Sequence, residues 1–343
     1  MNRGQSSDAS SRSLWYGILF SALYCGAIYV VRPYYLLQDA FERDTGYWHY
    51  YWKLPNPTIM TRVTAWGGYL LHQAANWYFI YYGQSRRLKY TSGLHAVNVW
   101  ALVANAVFVL LHLVQSAIWY DGLAQDVVIL SSQGSVVLLL VLVLLMEQER
   151  RGLFFGKSIT MLHRPANVIK HYHGYIFSWA ITYTFWYHPM ESTSGHLMGT
   201  FYSLLIMLQG SLFFTRVHKS NRWWLFVQEA MVLVHGTAVA FINHYRQPGS
   251  NNLWKMFFFG FGALVVVTQI YGLGLSKWQR WTVQTVFVGL VTFFYHNHPA
   301  RANEVIRIPI VEYFGVFLLA GLIWMGIGLQ NLVRRLYKEA KRL

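Results

Sequence analysis

The most regular feature of the sequence is a succession of long apolar runs separated by short polar stretches. A bilayer core of ~30 Å is crossed by about 20 mostly apolar helical residues. Scanning for such runs finds segments at 14–31, 63–83, 95–119, 126–146, 173–187, 196–214, 223–245, 253–275, 281–295 and 308–329. Trp and Tyr crowd many of their ends, as in the aromatic belts of membrane proteins. The pattern predicts an all-α fold, a polytopic integral membrane helical bundle of about ten transmembrane helices.

The basic residues are concentrated in alternate loops of this arrangement. With the N-terminus in the cytoplasm, the cytoplasmic segments hold 20 of the 28 Lys and Arg residues. Short cytoplasmic loops of membrane proteins carry an excess of Lys and Arg, so both termini are predicted to be cytoplasmic. We divide the chain into a disordered cytoplasmic N-terminus (1–13), a single transmembrane helical domain (14–329) and a basic cytoplasmic C-terminal tail (330–343). The expected location is integral and multi-pass, in the inner or plasma membrane if the source is prokaryotic.

Composition and charge agree with a chain that is solvated mostly by lipid. Hydrophobic residues make up 55% and charged residues only 12%, against about a quarter charged in soluble domains. The net charge of +15 would suit nucleic acid, but its distribution places it against anionic headgroups. We therefore predict membrane lipids as partners and no nucleic acid, and we predict no particular protein partner. The single Cys25 excludes a disulfide framework and CxxC motifs.

Three histidines fall inside predicted helices, at similar depths beneath the outer face. Counting ~1.5 Å per helical residue, His72, His112 and His235 lie roughly 10 to 15 Å deep, with Gln133 on the same side. Ionisable groups inside a membrane are costly, and they usually face a bundle interior or a cavity. We predict that the three histidines bind a haem or a metal ion as cofactor. For each one, the alternative is a polar core residue that is hydrogen-bonded to a neighbour.

Further candidate ligands lie at the outer ends of the predicted helices. The stretch FWYHPMESTSGH (185–196) joins the fifth and sixth helices, and HNHP (296–299) follows the ninth. Imidazole is a common ligand of zinc, copper and iron, and a nearby carboxylate can orient it. The alternative for both stretches is a solvated turn. The metal-ligand candidates are His188, His196, His296 and His298, and the candidate catalytic side chains are Glu191, Glu312 and Gln133.

A lone carboxylate, Glu229, lies within the seventh predicted helix near its cytoplasmic end. A carboxylate at that position requires a partner. The nearest ionisable residue by depth is His173, and Asn98 or Gln209 are neutral alternatives. The sequence predicts an interhelical hydrogen bond for Glu229.

These features favour a membrane-embedded enzyme. A metal ion (iron, zinc or copper) or a haem would catalyse a redox or hydrolytic reaction on a lipid-soluble small molecule, such as a lipid or an isoprenoid, so that lipid metabolism and oxidoreductase chemistry are expected. No HExxH, GxSxG or Walker A motif is present, so the zincin, hydrolase and P-loop patterns are excluded. One alternative is a multi-pass transporter or channel with a His-lined pathway. The other is a non-catalytic membrane assembly subunit.

Overall fold

The computed structural model describes residues 12, 15–24, 26–27, 30, 54–187, 213–215, 222–246 and 253–341. These residues are helical apart from short connections, and the all-α prediction is confirmed for this part of the chain. The helices are α1 (Trp15–Tyr24), α2 (Ile59–Ser85), α3 (Ala96–Trp119), α4 (Ile129–Arg151), α5 (His163–Tyr187), α6 (Arg222–Arg246), α7 (Trp254–Val267), α8 (Lys277–Tyr295) and α9 (Glu304–Ala340).

The chain divides into two compact units. The first comprises Met1–Val136, Gly174–Leu225 and Phe241–Ser250, and the second comprises Val137–His173, Phe226–Ala240 and Asn251–Leu343. The unit boundaries fall within α4, α5 and α6, so each of these helices contributes residues to both units. Each unit is described by itself.

In the first unit, α2 and α3 each bury one continuous stripe of side chains. On α2 the buried residues recur at helical spacing from Thr61 to Gly83, and on α3 they run from Val97 to Ser116. Recurrence every three or four residues produces one buried face per helix. In α5, by contrast, every residue from Ala180 to Tyr187 is buried. A helix that is buried on all sides lies in the middle of its unit, so the end of α5 is the centre of the first unit.

The ends of α2 and α3 follow local capping rules. The Thr58 hydroxyl accepts a hydrogen bond from the Thr61 amide at 3.2 Å, and the Thr61 hydroxyl accepts one from the Thr58 amide at 3.1 Å. This reciprocal pair is a capping box, which satisfies two otherwise unpaired donors at the start of α2. At the carboxyl end of α3, Tyr120 adopts a left-handed conformation with φ 43°, and the helix ends there.

In the second unit, a tight turn after α4 is attached to the end of α7. Gly152 and Gly156 have φ of 79° and 81°, a region that glycine enters without steric cost. The Phe155 amide donates to the Val267 carbonyl at 2.9 Å, and the Thr268 hydroxyl donates to the Leu153 carbonyl at 2.9 Å. These bonds fix the turn that follows α4 against the carboxyl end of α7.

The number of membrane-spanning helices differs from the prediction. In the described residues, three segments are long and apolar enough to cross a membrane, namely Ala96–Trp119, Ile129–Arg151 and Pro299–Ala340, whereas the sequence predicted about ten. The predicted segments 63–83, 173–187 and 281–295 are helical, but their polar residues lower their hydropathy. The segment 223–245 lies within α6, of which Leu225–Ala238 is a shorter apolar stretch. The segment 253–275 contains only 14 α-helical residues, because a 3₁₀ helix follows at Gln269–Leu273. The segment 196–214 lies almost wholly outside the described residues.

The predicted C-terminal tail is also different from expectation. Its residues up to Ala340 continue α9 without interruption, so that this helix has 37 residues. The predicted disordered segment 1–13 lies outside the described residues, apart from Arg12.

Substitution of two adjacent glycines of α2 tests the packing at the centre of the first unit. A Cβ on Gly68 would collide with the indole of Trp186, while a Cβ on Gly67 would meet no atom within 4 Å. We expect Gly68→Ala to lower the free energy of unfolding by about 1–3 kcal/mol, the usual cost of overpacking. Gly67→Ala should be neutral or stabilising by up to about 1 kcal/mol, because alanine favours a helix. Thermal unfolding of both variants in detergent checks this, and equal melting temperatures would contradict it.

Candidate functional site

His72 lies at the centre of the first unit with both ring nitrogens hydrogen-bonded. Its Nε2 is 2.8 Å from Oδ1 of Asn105, and Trp186 Nε1 donates to its Nδ1 at 3.1 Å. The indole N–H is only a donor, so Nδ1 must be the acceptor, and the proton is then on Nε2, which donates to Asn105. The ring is fully buried and stacks on Phe108 at a centroid distance of 4.5 Å. His72 is therefore a neutral imidazole with both nitrogens engaged.

His112 is buried in contact with the same tryptophan. Its ring centroid lies 4.1 Å from that of Trp186 and 5.0 Å from that of Phe185. His112 Nδ1 is 3.0 Å from Oε1 of Gln115, one helical turn away. The structure thus brings His72 and His112 together around one indole. Direct ligation of a metal or haem iron by His72 would require the loss of one of its two hydrogen bonds.

Buried amides accompany the two histidines. Asn76 follows His72 by one turn on α2, and its Nδ2 donates to the Thr182 hydroxyl at 3.2 Å. In the described part of the protein, no hydrogen-bond partner is found for Asn76 Oδ1, for either polar atom of Gln73 or for Gln115 Nε2. The large majority of buried side-chain polar atoms in proteins have a hydrogen-bond partner. We name Gln73, Asn76 and Gln115, together with His72 and His112, the amide–imidazole site.

Hydroxyl groups extend this polar interior between α4 and α5. The Ser131 and Tyr183 hydroxyls are 2.7 Å apart, and those of Ser135 and Thr184 are 2.8 Å apart. Each pair joins the two helices within the first unit. These groups carry no formal charge, and within the described residues the stretches 63–85, 95–120, 127–136 and 174–187 contain no Asp, Glu, Lys or Arg. The described interior around the amide–imidazole site is therefore polar but uncharged.

One group of charged residues in the first unit lies in the loop after α3 and at the start of α2. Arg62 Nε lies 2.9 Å from Asp126 Oδ1, and Trp66 Nε1 donates to Asp126 Oδ2 at 3.0 Å. Asp121 is almost completely buried and accepts the Gly122 amide at 2.8 Å. Burial outweighs this hydrogen bond and raises the pKa of Asp121 to about 6.

The second unit contains a buried ion-pair cluster. Arg151 Nη2 is 3.1 Å from Glu229 Oε2, and the two side chains are 0% and 3% exposed. Arg150 Nη2 is 3.4 Å from Glu229 Oε1, and Arg150 Nε is 2.6 Å from Glu147 Oε2. The two guanidinium groups and two carboxylates balance in formal charge. The cluster joins the end of α4 to α6.

The partner of Glu229 differs from the one predicted. His173 Nδ1 is bonded instead to the Lys170 carbonyl at 2.7 Å, as expected of a residue that caps its own helix turn. Sequence reasoning assigned Arg150 and Arg151 to a cytoplasmic loop and missed their role as partners. The sequence does contain an indication of this role. A Glu-x-x-Arg-Arg stretch directly follows Met146, where the helix was predicted to stop, and it forms the end of α4.

The other predicted site residues are dispersed. His235 belongs to the second unit and is half-buried, and Gln133 is exposed on α4. Glu312 is buried on α9, and its Oε2 has no hydrogen-bond partner within the residues that are described. His296 and His298 are exposed, and His296 Nδ1 donates to the Phe293 carbonyl at 2.6 Å. His188, Glu191 and His196 lie outside the described residues.

A metal centre of several converging ligands is not seen in the described residues. No group of three or more His, Cys, Asp or Glu side chains there is arranged to hold a metal ion. The predicted assembly of His296 and His298 with a carboxylate does not form among these residues. The amide–imidazole site, with two histidines at its core, is the part of the histidine prediction that the structure brings together.

The raised pKa of Asp121 predicts a pH dependence of stability. Because the folded protein holds the proton more tightly than the unfolded chain, the stabilising contribution is present below pH 3.8 and is lost as the pH rises through about 6. We expect Asp121→Asn, which stays uncharged, to flatten the melting temperature over this window. Glu339→Gln, at an exposed position, is the charge-matched control and should keep the parental profile. If the melting temperature of Asp121→Asn depended on pH as that of the wild type does, the raised pKa of Asp121 would be refuted.

The ion-pair cluster predicts an asymmetry between single and double substitutions. Glu229→Gln leaves the Arg151 guanidinium buried without its counter-charge and should destabilise by about 3–5 kcal/mol. The double variant Arg151→Met/Glu229→Leu removes both charges and should unfold close to the parent. Arg150→Met should cost less than Arg151→Met, since Arg150 is partly exposed. Chemical denaturation in detergent measures all four, and additive losses in the double variant would argue against the pairing.

Comparison of this chain with models of protein families, with curated proteins and with solved structures gave no match. The first unit offers an uncharged polar region around the amide–imidazole site, and the second offers a charge-balanced cluster.

Proposed function

We propose that this chain is a multi-pass membrane protein that transports or conducts a small uncharged polar solute through the interior of its first unit. The proposal includes the arrangement inferred from sequence, with about ten helices and both termini in the cytoplasm. Three described segments are long and apolar enough to span a membrane. Among the remaining helices, α2 and α5 bury polar side chains such as His72, Gln73 and Thr182 in the protein interior, where intramembrane polar groups are tolerated.

The observation that carries the proposal is a group of four buried amide atoms in the amide–imidazole site that have no hydrogen-bond partner among the described residues. They belong to Gln73, Asn76 and Gln115, on the same faces of α2 and α3 as His72 and His112. An unpaired buried amide group costs about 1–3 kcal/mol. Such groups are retained where a passing or bound molecule supplies the missing hydrogen bonds.

The chemistry of the site favours an uncharged solute. Carboxamides both donate and accept hydrogen bonds, and the His72 imidazole is neutral in its hydrogen-bonded tautomer. The helical stretches around the site, within 63–85, 95–120, 127–136 and 174–187, carry no charged side chain to neutralise an ion. A solute with hydroxyl, carbonyl or amide groups could exchange its hydrogen bonds with water for those of Gln73, Asn76 and Gln115. The Ser131–Tyr183 and Ser135–Thr184 hydroxyl pairs offer further exchangeable partners.

The metal- or haem-dependent enzyme receives less support from the same geometry. A ligand histidine needs a free nitrogen lone pair, whereas both nitrogens of His72 are already hydrogen-bonded. Absorption spectra and elemental analysis of the purified chain test this candidate directly. A Soret band, or stoichiometric zinc, copper or iron, would favour the enzyme over transport.

The test is solute flux in proteoliposomes, with glycerol and urea as the probes. We expect reconstituted protein to accelerate the entry of at least one probe several-fold over empty vesicles, with no chemical change in the solute. The rate should be insensitive to membrane potential because the probes carry no charge. If no acceleration of either probe is found, the transport proposal fails for small polyols and amides. The alternative of a non-catalytic assembly subunit would then be favoured.

A substitution at Gln73 separates a transport role from a structural one. Gln73→Leu removes two buried unpaired polar atoms, so we expect it to raise the melting temperature while it reduces flux at least tenfold. Gln133→Leu makes the same chemical change at an exposed position of α4 and is the matched control for flux. Parallel losses of stability and flux in Gln73→Leu would show that the amide supports the fold, which contradicts the proposal.

A further inference from the structure

The last part of α9 is an amphipathic helix whose apolar side is uncovered. Every residue from Gly328 to Lys341 is exposed. Five of them are large and apolar, and 53–63% of each is exposed: Leu329, Leu332, Val333, Leu336 and Tyr337. Their spacing of three, four, seven and eight residues places them on one side of the helix. We name this set the C-terminal apolar stripe.

The opposite side of the same segment is basic. At 100° per residue, Arg334, Arg335, Lys338 and Lys341 project away from the C-terminal apolar stripe. With Arg342 included, residues 329–343 contain five basic residues and one acidic residue, Glu339, a net charge of +4. An apolar stripe backed by Lys and Arg is the pattern of helices that lie in the plane of an anionic membrane surface.

The length of α9 supports the same conclusion. Its 37 residues measure about 55 Å at 1.5 Å per residue, whereas a bilayer core is about 30 Å thick. About 25 Å of helix must therefore lie beyond the core. The apolar positions of that excess portion have no bilayer core around them if the helix continues straight.

Two glycines mark the place where the helix can change direction. Gly326 and Gly328 come just before the C-terminal apolar stripe, and a Cβ on either would meet nothing within 4 Å. Packing therefore does not require glycine here, although glycine disfavours a helix relative to alanine. A flexible point at these residues would allow the last three turns to lie down on the membrane surface.

We propose that residues 329–341 form a docking helix that binds anionic lipid headgroups at the surface of the membrane that α9 crosses. The C-terminal apolar stripe enters the headgroup boundary, and the basic side contacts phosphate groups. The bend at Gly326 and Gly328 allows this orientation. The occupant is lipid rather than a second copy of the chain, because five basic residues on each copy would repel one another, whereas an anionic leaflet attracts them.

The test uses an environment-sensitive fluorophore on single cysteines in full-length protein that carries Cys25→Ser. Val333→Cys places the probe in the C-terminal apolar stripe, and Asn331→Cys places it on the basic side as the matched control. Each labelled protein is reconstituted in phosphatidylcholine vesicles with or without phosphatidylglycerol. We expect the Val333 probe to brighten several-fold only when phosphatidylglycerol is present, and to dim when salt is raised. The Asn331 probe should not respond.

Two further variants test the two parts of the proposal. Arg334→Gln/Arg335→Gln/Lys338→Gln should abolish the response of the Val333 probe, and Gly326→Ala/Gly328→Ala should weaken it. Gly321→Ala, at another glycine of α9 with open space around it, is the control for the second variant. Equal signals with and without phosphatidylglycerol, equal signals from the two probe positions, or energy transfer between labelled copies would each overturn lipid docking. These readouts are independent of solute flux.

Discussion

The packing of Trp186 is the interaction on which the first unit depends. Its indole lies where α2, α3 and α5 meet: it donates to His72, contacts the His112 ring and fills the space left by the missing side chain of Gly68. A single residue thus sets the tautomer of one histidine and the position of another. Since the indole can only donate, the direction of the hydrogen bonds from Trp186 through His72 to Asn105 is determined. The polar interior of this unit is built around this series of hydrogen bonds.

The main buried polar cluster of each unit has a different composition. That of the first contains amides, hydroxyls and imidazoles, and four of its amide atoms lack partners in the described structure. The second contains a fully buried arginine, and opposite charges lie within 3.4 Å of one another. A charge-balanced cluster of this kind joins helices and is strongly destabilised when one partner is removed. Unpaired neutral groups do not contribute in that way, so a ligand is the better explanation for their presence. Gln148 and Gln269 of the second unit each have one unpaired amide atom, so it is the grouping of four such atoms with His72 and His112 that places the functional proposal in the first unit.

The sequence predicted helices well because the apolar runs are long and locally determined. The segment 95–119 agrees with α3 to within one residue, and the apolar spacing of α2 reappears as its buried face. Depth along a helix also identified His72 and His112 as neighbours. Depth along a helix does not specify rotation about the helix axis. For this reason Gln133 is exposed, although Ser132 before it and Ser135 two residues after it are buried. The pairing of Arg151 with Glu229 was missed for a related reason: a charge at a helix end was assigned to the loop.

Rotation also decides what the histidine pattern means. Three histidines at one depth suggested convergence on a cofactor, and two of them do converge. Their ring nitrogens, however, are directed at protein groups: Trp186 and Asn105 for His72, and Gln115 for His112. A histidine that bridges a donor and an acceptor on two other helices holds three helices in register, and it does so without a charge. The neighbouring amides are different, since helix register would be kept equally well by leucine at Gln73. The functional information in this interior therefore lies in the amides that the histidines leave unpaired.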